Sequence, residues 1–178
     1  MKILVLKGSG NIHGSSALLA DEFMRGAREA GHEVAEFNVA RADISGCLGC
    51  NACFKLGSCV QKDDNENILK AMIKEADMLV FAMPVYYYGW PAQLKAVIDR
   101  FYSYNSELMK MNKKTALLAV AFDDSDEVFS SITSYYKLVA NYMHFEIKGI
   151  IEGRGCGTLK MTSESKYPEL AYELGKSL

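Results

Sequence analysis

What most constrains the fold of this chain is the alternation of short, unbroken apolar runs with longer stretches that carry apolar residues at helical spacing. Lys2 to Leu6 is the first run, continuous rather than alternating, the pattern of a strand buried on both faces. Ser15 to Ala30 then carries Leu18, Leu19, Phe23 and Ala27 at helical spacing, and Gly31 ends the helix. Glu33 to Val39 predicts a second strand, of mixed polarity and so nearer a sheet edge. A helix over about Asn65 to Glu75 and a buried strand at Met78 to Met83 follow, then a helix opened by Pro91 and running through Leu94, Val97, Ile98 and Phe101. Thr115 to Phe122 predicts a fourth strand, Asp126 to Tyr142 a helix, and Phe145 to Ile151 a last strand before a short C-terminal helix. Five strands alternating with helices predict an α/β fold, a parallel sheet covered on both sides. With 178 residues, 49% of them hydrophobic, and no linker, repeat or low-complexity tract, the expectation is a single domain over 1–178.

Charge narrows the partners. The net charge is -2 and lysine and arginine form no stripe, so electrostatics give no argument for nucleic acid or a membrane surface. No apolar stretch approaches the ~20 residues of a membrane span. The N-terminal MKILVLKGSG is too short for a signal-peptide core. The expected location is cytoplasmic, where thiols stay reduced.

Two loops leave the carboxyl ends of the first and third strands. In the first, Gly8, Gly10 and Gly14 permit close backbone approach. Ser9, Asn11, Ser15 and Ser16 add neutral donors ahead of a helix N-terminus, a setting for a phosphate. The plainer alternative is a tight turn with Ser15 or Ser16 capping the helix. The glycine spacing misses the dinucleotide fingerprint by one, and the second strand ends at Phe37-Asn38 rather than at an acid, so a monophosphate suits the loop better than a pyrophosphate. The second loop, Pro84-Val85-Tyr86-Tyr87-Tyr88-Gly89-Trp90-Pro91, offers aromatic faces to a flat heteroaromatic ring, though any one of these aromatics would serve equally as core. In a sheet of order 2-1-3-4-5 the two loops flank one crevice at the topological switch point. Phosphate at one end and a planar ring at the other describe flavin mononucleotide, FMN.

The segments Gly8-Ser9, Gly14-Ser15-Ser16, Ala76-Asp77, Pro84-Val85-Tyr86 and Gln93 to Arg100 resemble the flavodoxin-like NAD(P)H-dependent FMN reductase superfamily. The block from Gly46 through Cys47, Cys50, Cys53 and Cys59 to Lys62-Asp63-Asp64 resembles its iron-sulfur flavoprotein branch. The resemblance covers residues 1 to 102 and implies a flavodoxin-like three-layer sandwich. It also implies an FMN phosphate held by Ser9, Asn11, Gly14, Ser15 and Ser16, with the isoalloxazine along Pro84, Val85, Tyr86, Tyr87, Tyr88 and Gly89. Members usually carry a proline and a basic residue after the first serine. Gly10 and Asn11 stand there instead, so no charged phosphate contact is carried over. The loop after the fourth strand, glycine-rich in the family, is the acidic Phe122-Asp123-Asp124-Ser125-Asp126, and no ring contact is assigned to it.

Cys47, Cys50, Cys53 and Cys59 have the spacing C-x2-C-x2-C-x5-C, and three readings stay open: ligands to a [4Fe-4S] cluster, a zinc site, or a metal-free loop of small residues. Cys156 is remote and reads as incidental. Asp99 and Arg100 read as a solvated pair; His13, in the phosphate loop, reads equally as a phosphate contact or a solvated loop histidine, while His32 reads as a helix end and His144 as a loop residue, so no metal pair is suggested. No side chain is required as a catalytic acid or base.

The expected function is an oxidoreductase in which NADH or NADPH reduces the flavin, which passes electrons to a quinone, another small acceptor or an iron-sulfur cluster. A flavodoxin-type shuttle without nicotinamide turnover, and a cysteine-metal sensor on a ligand-binding fold, are the alternatives. Aromatic density and family habit suggest a homodimer or homotetramer.

Overall fold

The computed structural model describes Met1 to Leu178 and contains one five-stranded parallel sheet of order β2-β1-β3-β4-β5. The strands are β1 (Lys2–Lys7), β2 (Glu33–Asn38), β3 (Met78–Pro84), β4 (Lys114–Val120) and β5 (Glu146–Gly153). Register runs in step across the centre, with Leu4 opposite Leu79 and Leu79 opposite Thr115. The order is the one the sequence predicts, and β2 lies at an edge with mostly half-buried or exposed residues.

Alternate side chains of each central strand enter two separate cores, which is why the strands read as unbroken apolar runs. Leu4, Leu6, Leu79, Phe81, Leu117 and Ala119 face one side. There they meet α3 (Lys70–Glu75), α4 (Ala92–Arg100) and α6 (Asp126–Tyr142) through Ile73, Leu94, Val97, Phe129 and Ile132. Ile3, Val5, Met78, Val80 and Leu118 face the other, against Leu19, Phe23 and Ala27 of α1 (Ser15–Glu29) and Ala171 of α8 (Tyr167–Lys176). Each of the Val, Leu, Ile, Met and Phe side chains among them, fully buried, is worth about 1.5–3 kcal/mol relative to exposure.

Several boundaries move. The fourth strand ends at Val120, leaving Phe122 exposed, and the fifth runs on to Gly153. A single short C-terminal helix becomes two, α7 (Leu159–Ser163) and α8. The helix after the cysteine loop opens with a π-helical turn over Asn65–Leu69 before α3. The remaining short helices are α2 (Cys53–Leu56) and α5 (Asn105–Met109). No helix is long and apolar enough to cross a membrane.

Candidate functional site

The loop after β1 is built from its own polar side chains. Ser9 Oγ accepts from the Asn11 N–H at 3.2 Å, and Asn11 Oδ1 from the His13 N–H at 3.1 Å. Asn38, at the end of β2 where a dinucleotide site would carry an acid, donates from Nδ2 to the Ser9 carbonyl at 3.2 Å. Gly8 extends the β1–β3 ladder through its N–H to Ala82 O at 2.8 Å, and a Cβ there would lie 2.3 Å from Leu94 Cδ1, so α4 packs directly on the loop. Gly14 is the N-cap of α1 and no side chain caps the helix. Ser15 and Ser16, though buried, therefore do not fill the capping role, and the first-turn N–H groups at the positive dipole end of α1 have no side-chain cap.

The loop after β3 starts with the Val85 N–H on Val120 O at 2.8 Å and then doubles back. Tyr86 and Gly89 exchange backbone hydrogen bonds of 3.1 and 2.9 Å around Tyr87 and Tyr88, whose φ angles are +46° and +61°. Two successive left-handed residues are those of a type I′ turn, for which Asn-Gly is the usual pair. Tyr87 projects fully into solvent, and Ser131 Oγ donates to the Tyr88 carbonyl. Trp90 is an anchor: its ring meets Phe81 edge-on at 5.3 Å and its Nε1 donates to Ile132 O at 3.3 Å.

The two loops form one cleft of about 250 Å³, with Ser9, Asn11, Gly14, Ser15 and Ser16 on one wall and Pro84, Val85 and Tyr86 on the other. Tyr88 and Gly89 instead line a second hollow with Trp90, Lys95 and Tyr135, because the turn directs them away. Burial pushes the Tyr135 phenol up to about 12. Sequence reasoning left out the ends of β4 and β5, which complete the cleft with Val120, Ala121, Phe122, Cys156 and Gly157. Position alone could have signalled them, since a parallel sheet collects ligands at its carboxyl edge. Cys156 is thus not incidental to the site: it is buried, its N–H bonds Ala121 O at 2.6 Å, and its sulfur sits 3.6 Å from Arg154 O.

Cys47, Cys50, Cys53 and Cys59 line a separate concavity together with Arg100 and Tyr102, and it shares no residue with the cleft. All four are free thiols, with Cys47 and Cys50 exposed and Cys53 and Cys59 half-buried. Gly49 and Gly57, at φ +63° and +69°, let the loop curl. No three His, Cys, Asp or Glu side chains are gathered around one point as ligands to a single ion. The donor set nonetheless has the composition an iron-sulfur cluster takes, four thiols around one hollow.

The expectation of a solvated Asp99–Arg100 pair is corrected here. Asp99 pairs with Lys95 at the surface at 2.6 Å, whereas the Arg100 side chain is 1% exposed and bound to Asp63. Burial by itself lowers the affinity of Arg100 for its proton, and the Asp63 carboxylate more than offsets this. Behind the pair, Glu66 accepts from the Cys59 N–H at 3.3 Å and from Lys70 Nζ at 2.9 Å. Burial, reinforced by Glu66, pushes the Tyr104 phenol far above its ordinary range.

Three comparisons bear on this arrangement. An iron-sulfur flavoprotein of Archaeoglobus fulgidus is 35% identical over 104 residues, which is 58% of this chain and 47% of that one. Another, from Methanocaldococcus jannaschii, is 39% identical over 100 residues, 56% of this chain and 51% of its own. The chain thus spans about half the length of these curated relatives. Among solved structures, an NAD(P)H:quinone oxidoreductase from Methanothermobacter marburgensis superposes with a TM-score of 0.72 at 20% identity, covering 99% of this chain and 94% of that one, which shows the same flavodoxin-like fold. Residues 1–132 match the family model described as NADPH-dependent FMN reductase, and the chain belongs to that family.

Proposed function

We propose that the chain is an FMN-dependent oxidoreductase that takes electrons from NADH or NADPH and passes them to a quinone or another small acceptor. The observation that carries this reading is the single cleft at the carboxyl ends of β1 and β3, with an uncapped helix N-terminus on one wall and Tyr86 on the other. FMN, when bound, supplies the redox chemistry by accepting hydride and releasing electrons. The first-turn N–H groups of α1, with Ser9, Asn11, Ser15 and Ser16, would hold its phosphate without a cationic side chain. Pro84, Val85 and Tyr86 would lie along the ring, with Phe122 on the far rim. Tyr87, Tyr88 and Gly89 would act at the rim of the site, where a second copy of the chain in a homodimer or homotetramer would meet the exposed Tyr87.

The four cysteines extend the same reading. Their arrangement around one concavity, together with the names of the curated relatives, favours an iron-sulfur cluster over an empty loop. Such a cluster would supply one-electron transfer beyond the flavin.

FMN titration followed by quenching of its fluorescence, then nicotinamide oxidation with a quinone acceptor, tests the proposal. Tight FMN binding with NADH or NADPH turnover is expected. FMN binding without turnover would leave a pure electron shuttle, and no FMN binding at all would sink the reading.

A further inference from the structure

Arg100 carries more of the cysteine site than its place at the end of α4 suggests. Its Nη1 donates to Ser45 O at 2.9 Å and to Asp63 Oδ2 at 2.6 Å, and its Nη2 donates to Asp63 Oδ1 at 3.1 Å and to Gln61 O at 3.4 Å. Ser45 stands two residues before Cys47, and Gln61 two residues after Cys59. One planar guanidinium thus ties together both feet of the loop that bears all four thiols. Gln61 adds a second tie from Nε2 to Gly46 O at 2.9 Å.

Charge accompanies this tie. Arg100 lines the concavity of the four cysteines and Asp63 does not, so the buried pair turns its positive end toward the thiols. Four thiolates around a cluster concentrate negative charge in a half-buried hollow. A fixed cation in the wall lowers that cost and favours the more reduced, more negative state. The Nε of Arg100 is buried without a partner in the protein, so the fork is not spent entirely on Asp63 and the carbonyls.

We propose that Arg100, oriented by Asp63, is a positioning residue of the four-cysteine site, closing the loop into its ligating shape and raising the reduction potential of the cluster it holds. This rests on the reading of the four cysteines as cluster ligands. Lysine cannot replace the geometry, because a single ammonium does not span two carbonyls and a carboxylate, although it keeps the charge.

The test uses the full chain supplied anaerobically with ferrous iron and sulfide. Iron and sulfide per chain, the midpoint potential followed by visible absorbance, and FMN content are all measured. Arg100→Met is expected to keep FMN while retaining metal about 10-fold or more weakly, with the potential of the remaining cluster shifted negative. Arg100→Lys is expected to keep a potential near that of the unaltered protein but to lose iron faster to a chelator. Full loading of Arg100→Met at an unshifted potential overturns the proposal. If Arg100→Met loses FMN as well, the lysine variant decides, and chelator release at the unaltered rate overturns the proposal. Unaltered protein that binds FMN but takes up no iron or sulfide overturns the cluster reading itself, and the role of Arg100 with it.

Discussion

Asp63 grips Arg100 with both carboxylate oxygens, at 2.6 and 3.1 Å, across 37 residues of sequence, and both side chains are almost fully buried. The same carboxylate accepts from the Ser45 N–H at 3.1 Å and the Glu66 N–H at 3.3 Å, so it joins the cysteine loop, the helix after it and α4 at one point. Desolvating two charges offsets much of their attraction, but removing one partner strands the other. Asp63→Ala is therefore expected to destabilise the protein by about 3–5 kcal/mol in urea unfolding, far more than removing either partner of the exposed Lys95–Asp99 pair.

The pair also sets a pH dependence. Burial alone would raise the Asp63 carboxyl. Arg100 and the two backbone N–H groups outweigh it and hold the carboxyl below the usual carboxylate range. A group depressed in the folded state contributes stability that is fully present above its unfolded value, near pH ~4, and lost as pH falls through the folded value. The urea midpoint is expected to fall below about pH 4, and Asp63→Asn, already lacking that contribution at neutral pH, should show a flatter acid limb.

Tyr87 and Tyr88 occupy left-handed backbone that costs a non-glycine residue about 1–2 kcal/mol. Tyr88→Gly alone is expected to raise thermal stability by about 1 kcal/mol, with the greater freedom of glycine in the unfolded chain offsetting part of the relief. A fall in FMN affinity or turnover in the same variant would locate the use of the strain at the cleft rim.

The packing of α1 on α8 leaves no room for a side chain at Gly26, where a Cβ would fall 2.1 Å from Tyr172 O. Gly175 meets Phe23 O in the same way, at 2.2 Å. Gly26→Ala must push the two backbones apart. A loss of about 1–3 kcal/mol is expected, with earlier proteolysis of the C-terminal helix as an independent readout.

Ser9→Asp keeps an oxygen that can accept from the Asn11 N–H and adds a negative charge beside the proposed phosphate cradle. Like charges ~4 Å apart repel by about 4 kcal/mol at an effective dielectric of about 20. FMN binding should weaken more than about 10-fold while riboflavin, lacking the phosphate, is much less affected. Equal losses for both would remove the phosphate from this loop.

Most of the architecture was readable from local pattern, because a strand buried on both faces and a helix with one apolar face leave periodicities that need no distant partner. The runs at Lys2 to Leu6 and Met78 to Met83, and the helix from Asp126 to Tyr142, are recovered with ends that coincide or lie one residue away. Boundaries failed where contacts across the chain decide them. β4 ends at Val120: the Ala121 N–H still reaches Gly153 O, but the Ala121 carbonyl is taken by the Cys156 N–H from beyond the end of β5, which no reading of residues 115 to 122 reveals.

The site divides along the same line. The sequence by itself determined which loops sit at the ends of β1 and β3 and that four thiols share one segment, since strand order and spacing are properties of neighbours in the chain. Only the tertiary structure decided that Cys156 and Phe122 join the cleft, that Tyr88 turns away from Tyr86, and that Arg100 is buried against Asp63 rather than solvated beside Asp99. Each of these depends on which surfaces meet after the sheet forms, and a buried charge in particular is stable only where a distant partner has been brought to it.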